Sequence, residues 1–478
     1  MSLTAKTVSG FKWITISQVS RQVAQLITTA ILARLLNPDD FGLIGMAMVA
    51  IGFINIFKDL GTSSAIIQRQ DVSDQLLHSI YWVNVIFGLI STMVLFLLSG
   101  SIASFYNEPR IEPVLETLSM TFTISGMSIV HQSILEKELA FRKVAKNEIV
   151  STVTGSVVGI ALALNGFGVW SLVFQSIAVS AVTTVLLSLA SGWRPKAVFV
   201  LDEIKRVSSY SMHLTGYSVF NYLVRNSDYL LVGKFLGAQD LGFYTLAYRI
   251  MLFPLQNISS VISRVMFPVY SILRDDDETF RQAYLRVTSV IALISFPIMI
   301  ALWVVADSFV VTIFGNQWIP SVLLIKILIP VGILQSIGTT VGSIYQAKGR
   351  TDLMLRWGGV TGLLTVLGFV FGIQWGIVGV AIAYTVTTLI LSYPGFLIPF
   401  KLIGMTFGKM REVVVMPMVL SAIMAIFMLI VDELYSKSHN GSASMYIVVV
   451  VGVVVYGIMN MTLNKVKMQQ LWSSVKIK

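Results

Sequence analysis

Hydrophobic positions along this chain do not alternate with polar ones. They gather into long stretches without charge, such as Ile86–Leu98 and Tyr446–Val455, separated by short polar or charged joints. A membrane β-barrel would instead show strands of about ten residues with every second position apolar. A helix crossing about 30 Å of hydrocarbon needs roughly 20 mostly apolar residues. Windows of that kind lie near 13–35, 41–57, 78–98, 114–134, 149–165, 169–190, 210–233, 242–266, 287–306, 320–345, 357–373, 376–399, 413–431 and 445–462. The pattern predicts an all-α integral membrane protein of about fourteen transmembrane helices, or twelve with the last two as an appendage.

Composition agrees with this reading. Of 478 residues, 55% are hydrophobic and 12% charged, against about 25% charged in a typical soluble domain. That excludes a soluble enzyme. There is no cysteine, so disulfides, thiolate metal sites and a cysteine nucleophile are excluded. No Gly-x-x-x-x-Gly-Lys-Ser/Thr phosphate loop occurs, and His78, His131, His213 and His439 show no metal-ligand spacing. The first apolar stretch leads into a full-length helix, so it is expected to be an uncleaved span.

The net charge of +10 reflects topology rather than affinity for nucleic acid, because cytoplasmic loops collect Lys and Arg. With a cytoplasmic N-terminus, 25 basic residues fall on the inner side and only Arg34, Arg110, Lys234 and Lys437 on the outer side. Both termini are therefore expected to be cytoplasmic. Arg21, Arg225, Arg249, Arg264 and Lys326 fall within the windows themselves.

The chain also repeats itself. Ala33-Arg34-Leu35-Leu36-Asn37-Pro38-Asp39-Asp40-Phe41-Gly42 aligns with Gly233-Lys234-Phe235-Leu236-Gly237-Ala238-Gln239-Asp240-Leu241-Gly242 at a register of 200 residues. A weaker echo sets Gly166–Trp170 against Gln374–Val378. Six windows separate the copies, so they are parallel, a plan in which transporters place substrate between two halves. The expected organisation is an N-lobe at 1–192, a cytoplasmic amphipathic linker at 193–209, a C-lobe at 210–400, and a C-terminal pair with a basic tail at 401–478.

A charge at mid-membrane costs about 2.5–3.5 kcal/mol on insertion scales and so faces a cavity or a partner. Gln18, Arg21, Gln22 and Gln25 share one face of the first window, and His213, Tyr217, Asn221, Arg225 and Asp228 share one face of the seventh. Tyr244, Tyr248 and Arg249 follow in the eighth, and Lys326, Gln335 and Thr339 in the tenth. At 1.5 Å per residue, Arg21 lies about 12 Å and Arg225 about 22 Å from the inner face, while Arg249 and Lys326 lie about 10 Å from the outer face. Arg21 has no acid within a turn of itself, and Asp228 is the one carboxylate placed deep by these windows. A cavity lined this way would bind anions. The candidate binding residues are Arg21, Gln18, Gln25, Asn221, Arg225, Tyr248, Arg249 and Lys326, with Asp228 as a candidate for ion coupling. Purely structural readings compete: Arg225 could pair with Asp228, Lys326 could reach headgroups, and the glutamines could merely join helices.

The Arg/Gln stripe, the Leu36–Gly42 turn with its copy at Leu236–Gly242, and Gln132-Ser133-Ile134-Leu135-Glu136-Lys137-Glu138-Leu139-Ala140-Phe141-Arg142 resemble Wzx-type lipid-linked-oligosaccharide flippases and polysaccharide exporters. The resemblance covers nearly the whole chain. It implies a V-shaped, two-lobe, alternating-access transporter in a bacterial inner membrane. Its implied cargo is an undecaprenyl-pyrophosphate-linked glycan, carried outward for cell-surface polysaccharide. Arg21 and Arg249 sit where two pyrophosphate-binding arginines of related flippases are expected. The second window lacks such an arginine and has only Lys58 at its inner end.

No cofactor is expected. Membrane potential, with or without proton or sodium coupling, would supply the drive. Membrane lipids, a polysaccharide polymerase and an export complex are the other candidate partners. A drug or cation antiporter of the same superfamily is the alternative transporter, but it would need carboxylates where this chain has cations. A non-transport scaffold would not require deep arginines.

Overall fold

The computed structural model describes residues 3–57, 62–68, 72–200, 219, 221–259, 262, 266, 269–436 and 442–463, with side chains of the first helix described from Trp13 onward save for two positions. His213, Tyr217, Lys58, Arg264, His439, the linker beyond residue 200 and the basic tail lie outside the described residues. Every described element is helical, as long charge-poor stretches require where lipid offers the backbone no hydrogen bonds. Nine described segments are long and apolar enough to cross a membrane, among them Asp74–Tyr106, Phe141–Leu164, Asp277–Ile313 and Phe407–Tyr435.

The chain divides into two compact units, Met1–Gly242 and Phe243–Lys478. The first contains α1 (Leu3–Leu35), α2 (Pro38–Asn55), α3 (Thr62–Gln68), α4 (Asp74–Tyr106), α5 (Ile111–Gly126), α6 (Ile129–Lys137), α7 (Phe141–Leu164), α8 (Trp170–Ser191) and α9 (Ser227–Leu236). Helix α1 packs along α7, α7 along α8, α8 along α5, and α5 along α4. The outward faces carry Leu97, Leu164 and Leu189, each more than 60% exposed. Such a surface would aggregate in water and suits acyl chains.

Helix α2 starts at a built cap: the Asn37 N–H donates to Asp40 Oδ2 at 3.1 Å, and Pro38 occupies the first turn, where its missing N–H costs nothing. From this start comes a close backbone approach to the chain at 238–242. A Cβ on Gly42 would lie 1.7 Å from the Ala238 carbonyl oxygen, and one on Gly242 would lie 1.9 Å from the Pro38 carbonyl oxygen. The contacts are reciprocal, and both residue pairs obey the 200-residue register. Only glycine fits at either position.

The second unit continues α10 (Ala238–Pro254) and adds α11 (Asp277–Ile313), α12 (Pro320–Gly338), α13 (Val341–Ala347), α14 (Thr351–Gly372), α15 (Gly376–Leu402), α16 (Phe407–Ser436) and α17 (Ser442–Leu463). Its core gathers Tyr270, Phe280, Tyr284, Phe296, Ile344 and Phe400. The last two helices join the unit through Val304 and Val305 of α11 packed with Met424, Met428, Met445 and Val448.

Two expected spans, 114–134 and 320–345, are each broken into two helices, α5/α6 and α12/α13. Hydroxyls occupy both breaks: Ser128 and Thr340 donate to carbonyls three residues back, at 2.7 Å and 2.8 Å. Ser125, Ser336 and Thr339 do the same beside them. These bonds occupy carbonyls at the interruptions.

The described start of the linker is docked. Trp193 stacks on His78 at 5.0 Å and sits against Tyr81 and His131. The Lys196 N–H donates to His78 Nδ1, Trp82 Nε1–H donates to the Lys196 carbonyl, and the Val200 N–H donates to Ser79 Oγ.

Candidate functional site

Arg21 projects from α1 towards α7, where Glu148 lies two turns inside the helix start. The guanidinium Nη1 is 3.6 Å from Glu148 Oε1, with side chains 40% and 30% exposed. The other carboxylate oxygen accepts the Ser17 hydroxyl at 2.6 Å. Arg21 Nε is buried with no hydrogen-bond partner. A guanidinium offers five N–H donors, so this group retains donor capacity. Gln18 and Gln22 are half-buried beside it and Gln25 is exposed. Nearer the helix start, Arg142 lies over the Trp13 ring at 5.2 Å.

The expectation that Arg21 lacks an acidic neighbour holds only along its own helix. Glu148 was missed because the apolar window begins one residue after it, which assigned it to a loop; the observed helix begins at Phe141 and carries it inward.

On the later stripe of the first unit, residues 221–225 are helical and Asn226 interrupts before α9. Asn221 and Arg225 are exposed, whereas Asp228 is 2% exposed and its Oδ1 accepts the Tyr229 N–H at 2.9 Å. The stripe therefore separates into accessible cation and amide groups and a buried carboxylate. Tyr222, absent from the sequence reading, donates its hydroxyl to the Val49 carbonyl of α2 at 2.9 Å. Gly52 leaves room for that ring.

In the second unit Arg249 is exposed. Tyr248 stacks on Tyr244 at 5.8 Å and lies 6.1 Å from the Tyr384 ring, and Gln335 Nε2 donates to the Tyr384 hydroxyl at 2.7 Å. Tyr384 is a further residue the sequence reading missed, since one tyrosine in an apolar window gives no signal. Lys326 contacts Asp307 at 2.5 Å and lies over the Trp303 ring at 6.0 Å. Its charge is therefore compensated by an acid just beyond the expected window.

Outside the spans, Arg110 joins Asp39 and Glu108 at 2.6 Å and 2.7 Å. The Arg110 hydrogen bond holds the Glu108 carboxyl below its ordinary range, partly offset by burial. Among the described residues, no group of three or more His, Cys, Asp or Glu could hold a metal ion.

Comparison with known proteins places this geometry in context. A family model described as "Polysaccharide biosynthesis protein" matches residues 31–323. The chain is 31% identical over 403 residues to the lipopolysaccharide biosynthesis protein WzxC of Escherichia coli (strain K12), covering 82% of this chain and 81% of that one. It is 29% identical over 436 residues to the teichuronic acid biosynthesis protein TuaB of Bacillus subtilis (strain 168), covering 89% of each. The fold is similar to the inward closed conformation of the lipid II flippase MurJ, with a TM-score of 0.75 at 14% identity over 95% of this chain and 99% of that one. On the family match and the extent of these similarities, the chain belongs to the polysaccharide biosynthesis protein family.

Proposed function

We propose that this protein is a flippase that moves undecaprenyl-pyrophosphate-linked oligosaccharide units from the cytoplasmic to the outer leaflet of a bacterial inner membrane, for cell-surface polysaccharide. The observation that carries the reading is Arg21: a half-exposed guanidinium on the long first helix, one nitrogen buried without a partner. Such a group is suited to a phosphate, which a planar fork binds in bidentate fashion. Arg225 and Arg249 supply further accessible cations, while Gln18, Gln25, Asn221 and Tyr248 offer amide and hydroxyl groups to sugars. The biosynthetic names of WzxC and TuaB support a glycan cargo.

The transport cycle we infer is alternating access, with both termini cytoplasmic and the prenyl chain left in lipid. Each negative charge carried outward across an inside-negative membrane gains about 2.3 kcal/mol per 100 mV, so the potential drives the loaded step. Asp228 is the candidate for ion coupling. A cation antiporter is disfavoured, because Glu148 and Asp307 already face Arg21 and Lys326.

The deciding experiment is reconstitution into liposomes with a lipid-linked oligosaccharide and an imposed potential. Arg21→Ala should abolish translocation at unchanged protein level. Undiminished translocation by that variant refutes the assignment.

A further inference from the structure

We propose that Glu148 is a resident counter-anion: it holds Arg21 while the carrier is unloaded and is displaced by the diphosphate of the cargo. The inference rests on the flippase reading and names the group that sets how tightly that site binds. Glu148 belongs to α7 and Arg21 to α1, helices packed along each other, so the pair bridges two helices.

The geometry is that of a loose, exchangeable contact. The Arg21–Glu148 distance of 3.6 Å exceeds the 2.5–2.9 Å of Lys326–Asp307, Arg110–Glu108 and Arg350–Asp352. Glu148 is also shared, because its Oε2 takes the short bond from Ser17. When Arg21 turns to another anion, the carboxylate keeps that bond and is not stranded. Arg21 meanwhile has the unpartnered Nε, and both side chains are accessible enough for an incoming group to reach them. A diphosphate presents several charged oxygens, against the single Oε1 of Glu148, and charge-assisted bidentate bonds are the stronger kind. Loading therefore exchanges a weak contact for a strong one. Unloading returns Arg21 to Glu148, so the guanidinium is never left bare within the bilayer, where an uncompensated charge is costly.

A purely structural pair and a counter-anion respond oppositely to removal of the acid. The experiment measures binding of inorganic pyrophosphate to the purified full-length protein in detergent by calorimetry. Glu148→Gln should bind about three- to fivefold more tightly, the worth of a partly exposed ion pair converted to affinity. In liposomes the same variant should lower both KM and kcat, because release becomes slower. Glu148→Ala should act in the same direction and serves if the glutamine variant does not accumulate. Arg21→Gln should lose saturable binding.

Unchanged or weaker pyrophosphate binding in both Glu148 variants, with Arg21-dependent binding intact in the parent protein, overturns the counter-anion and leaves the flippase reading standing. Binding that survives Arg21→Gln, or none in the parent and both Glu148 variants, overturns the phosphate site itself and the counter-anion with it.

Discussion

Gly42→Ala and Gly242→Ala test the reciprocal backbone contact at the starts of α2 and α10. The added methyl would lie 1.7 Å or 1.9 Å from a carbonyl oxygen, where a carbon–oxygen contact normally needs about 3.3 Å. The obstacle is backbone at both positions, with further carbonyl and Cα atoms behind it, so no rotamer change relieves the overlap. One helix start must move by about 1.5 Å. Overpacking of this kind costs about 3 kcal/mol, and alanine recovers about 1 kcal/mol of helix propensity, leaving about 2 kcal/mol of net destabilisation. The contacts are two halves of one surface. Once one methyl has parted the helix starts, the second meets little resistance, so the double variant should cost well below the sum of the singles. Equilibrium unfolding in mixed detergent with a rising SDS fraction, followed by near-ultraviolet circular dichroism, measures all three. Gly342→Ala, whose Cβ meets nothing within 4 Å, is the control and should be neutral or slightly stabilising. Neutral single variants, or a double variant that is fully additive, would refute the shared-contact argument.

Other consequences are equally accessible. Trp193→Ala removes the ring that wedges the linker against His78, Tyr81 and His131; tryptic cleavage after Lys196, which unlike Arg194 is not followed by proline, should accelerate about tenfold, corresponding to about 1.4 kcal/mol of lost docking. Lys326→Met should destabilise by about 1 kcal/mol, the ceiling for a pair whose Asp307 is largely exposed, and Lys326→Met with Asp307→Asn should recover most of that loss in the same assay. Glu108 titrates below its ordinary value in the folded protein. Its contribution to stability is therefore fully present above about pH 4.3 and lost as pH falls through the lowered native value. Thermal melts between pH 6 and pH 3 should show an acid-side decline that Glu108→Gln reduces, and an unaltered decline would count against the Arg110 contact.

Hydropathy reported the described helices well, because a bilayer forces long charge-free stretches into that one conformation, and nine described segments are long and apolar enough to cross it. What it missed follows from treating each window alone. Glu148 sits one residue before its window and Asp307 one residue after another, so both acids were counted as loop residues although the helices run past those limits. Their partners Arg21 and Lys326 then looked uncompensated, since helix-to-helix proximity is not written in local spacing. The interruptions at Met127 and Thr339 were invisible too, because Ser and Thr barely lower mean hydropathy. The 200-residue register, by contrast, was legible in the letters themselves, and the Gly42 and Gly242 contacts show what those glycines do.

The hydroxyl-filled breaks between α5 and α6 and between α12 and α13 have a mechanical consequence. Bending an unbroken helix in lipid would strip backbone carbonyls of their partners, at several kcal/mol for each one bared. At these two elbows serine and threonine already occupy neighbouring acceptors, so part of that expense is met before any motion begins. Each flanking rod can swing about such a joint while its own ladder of hydrogen bonds stays whole.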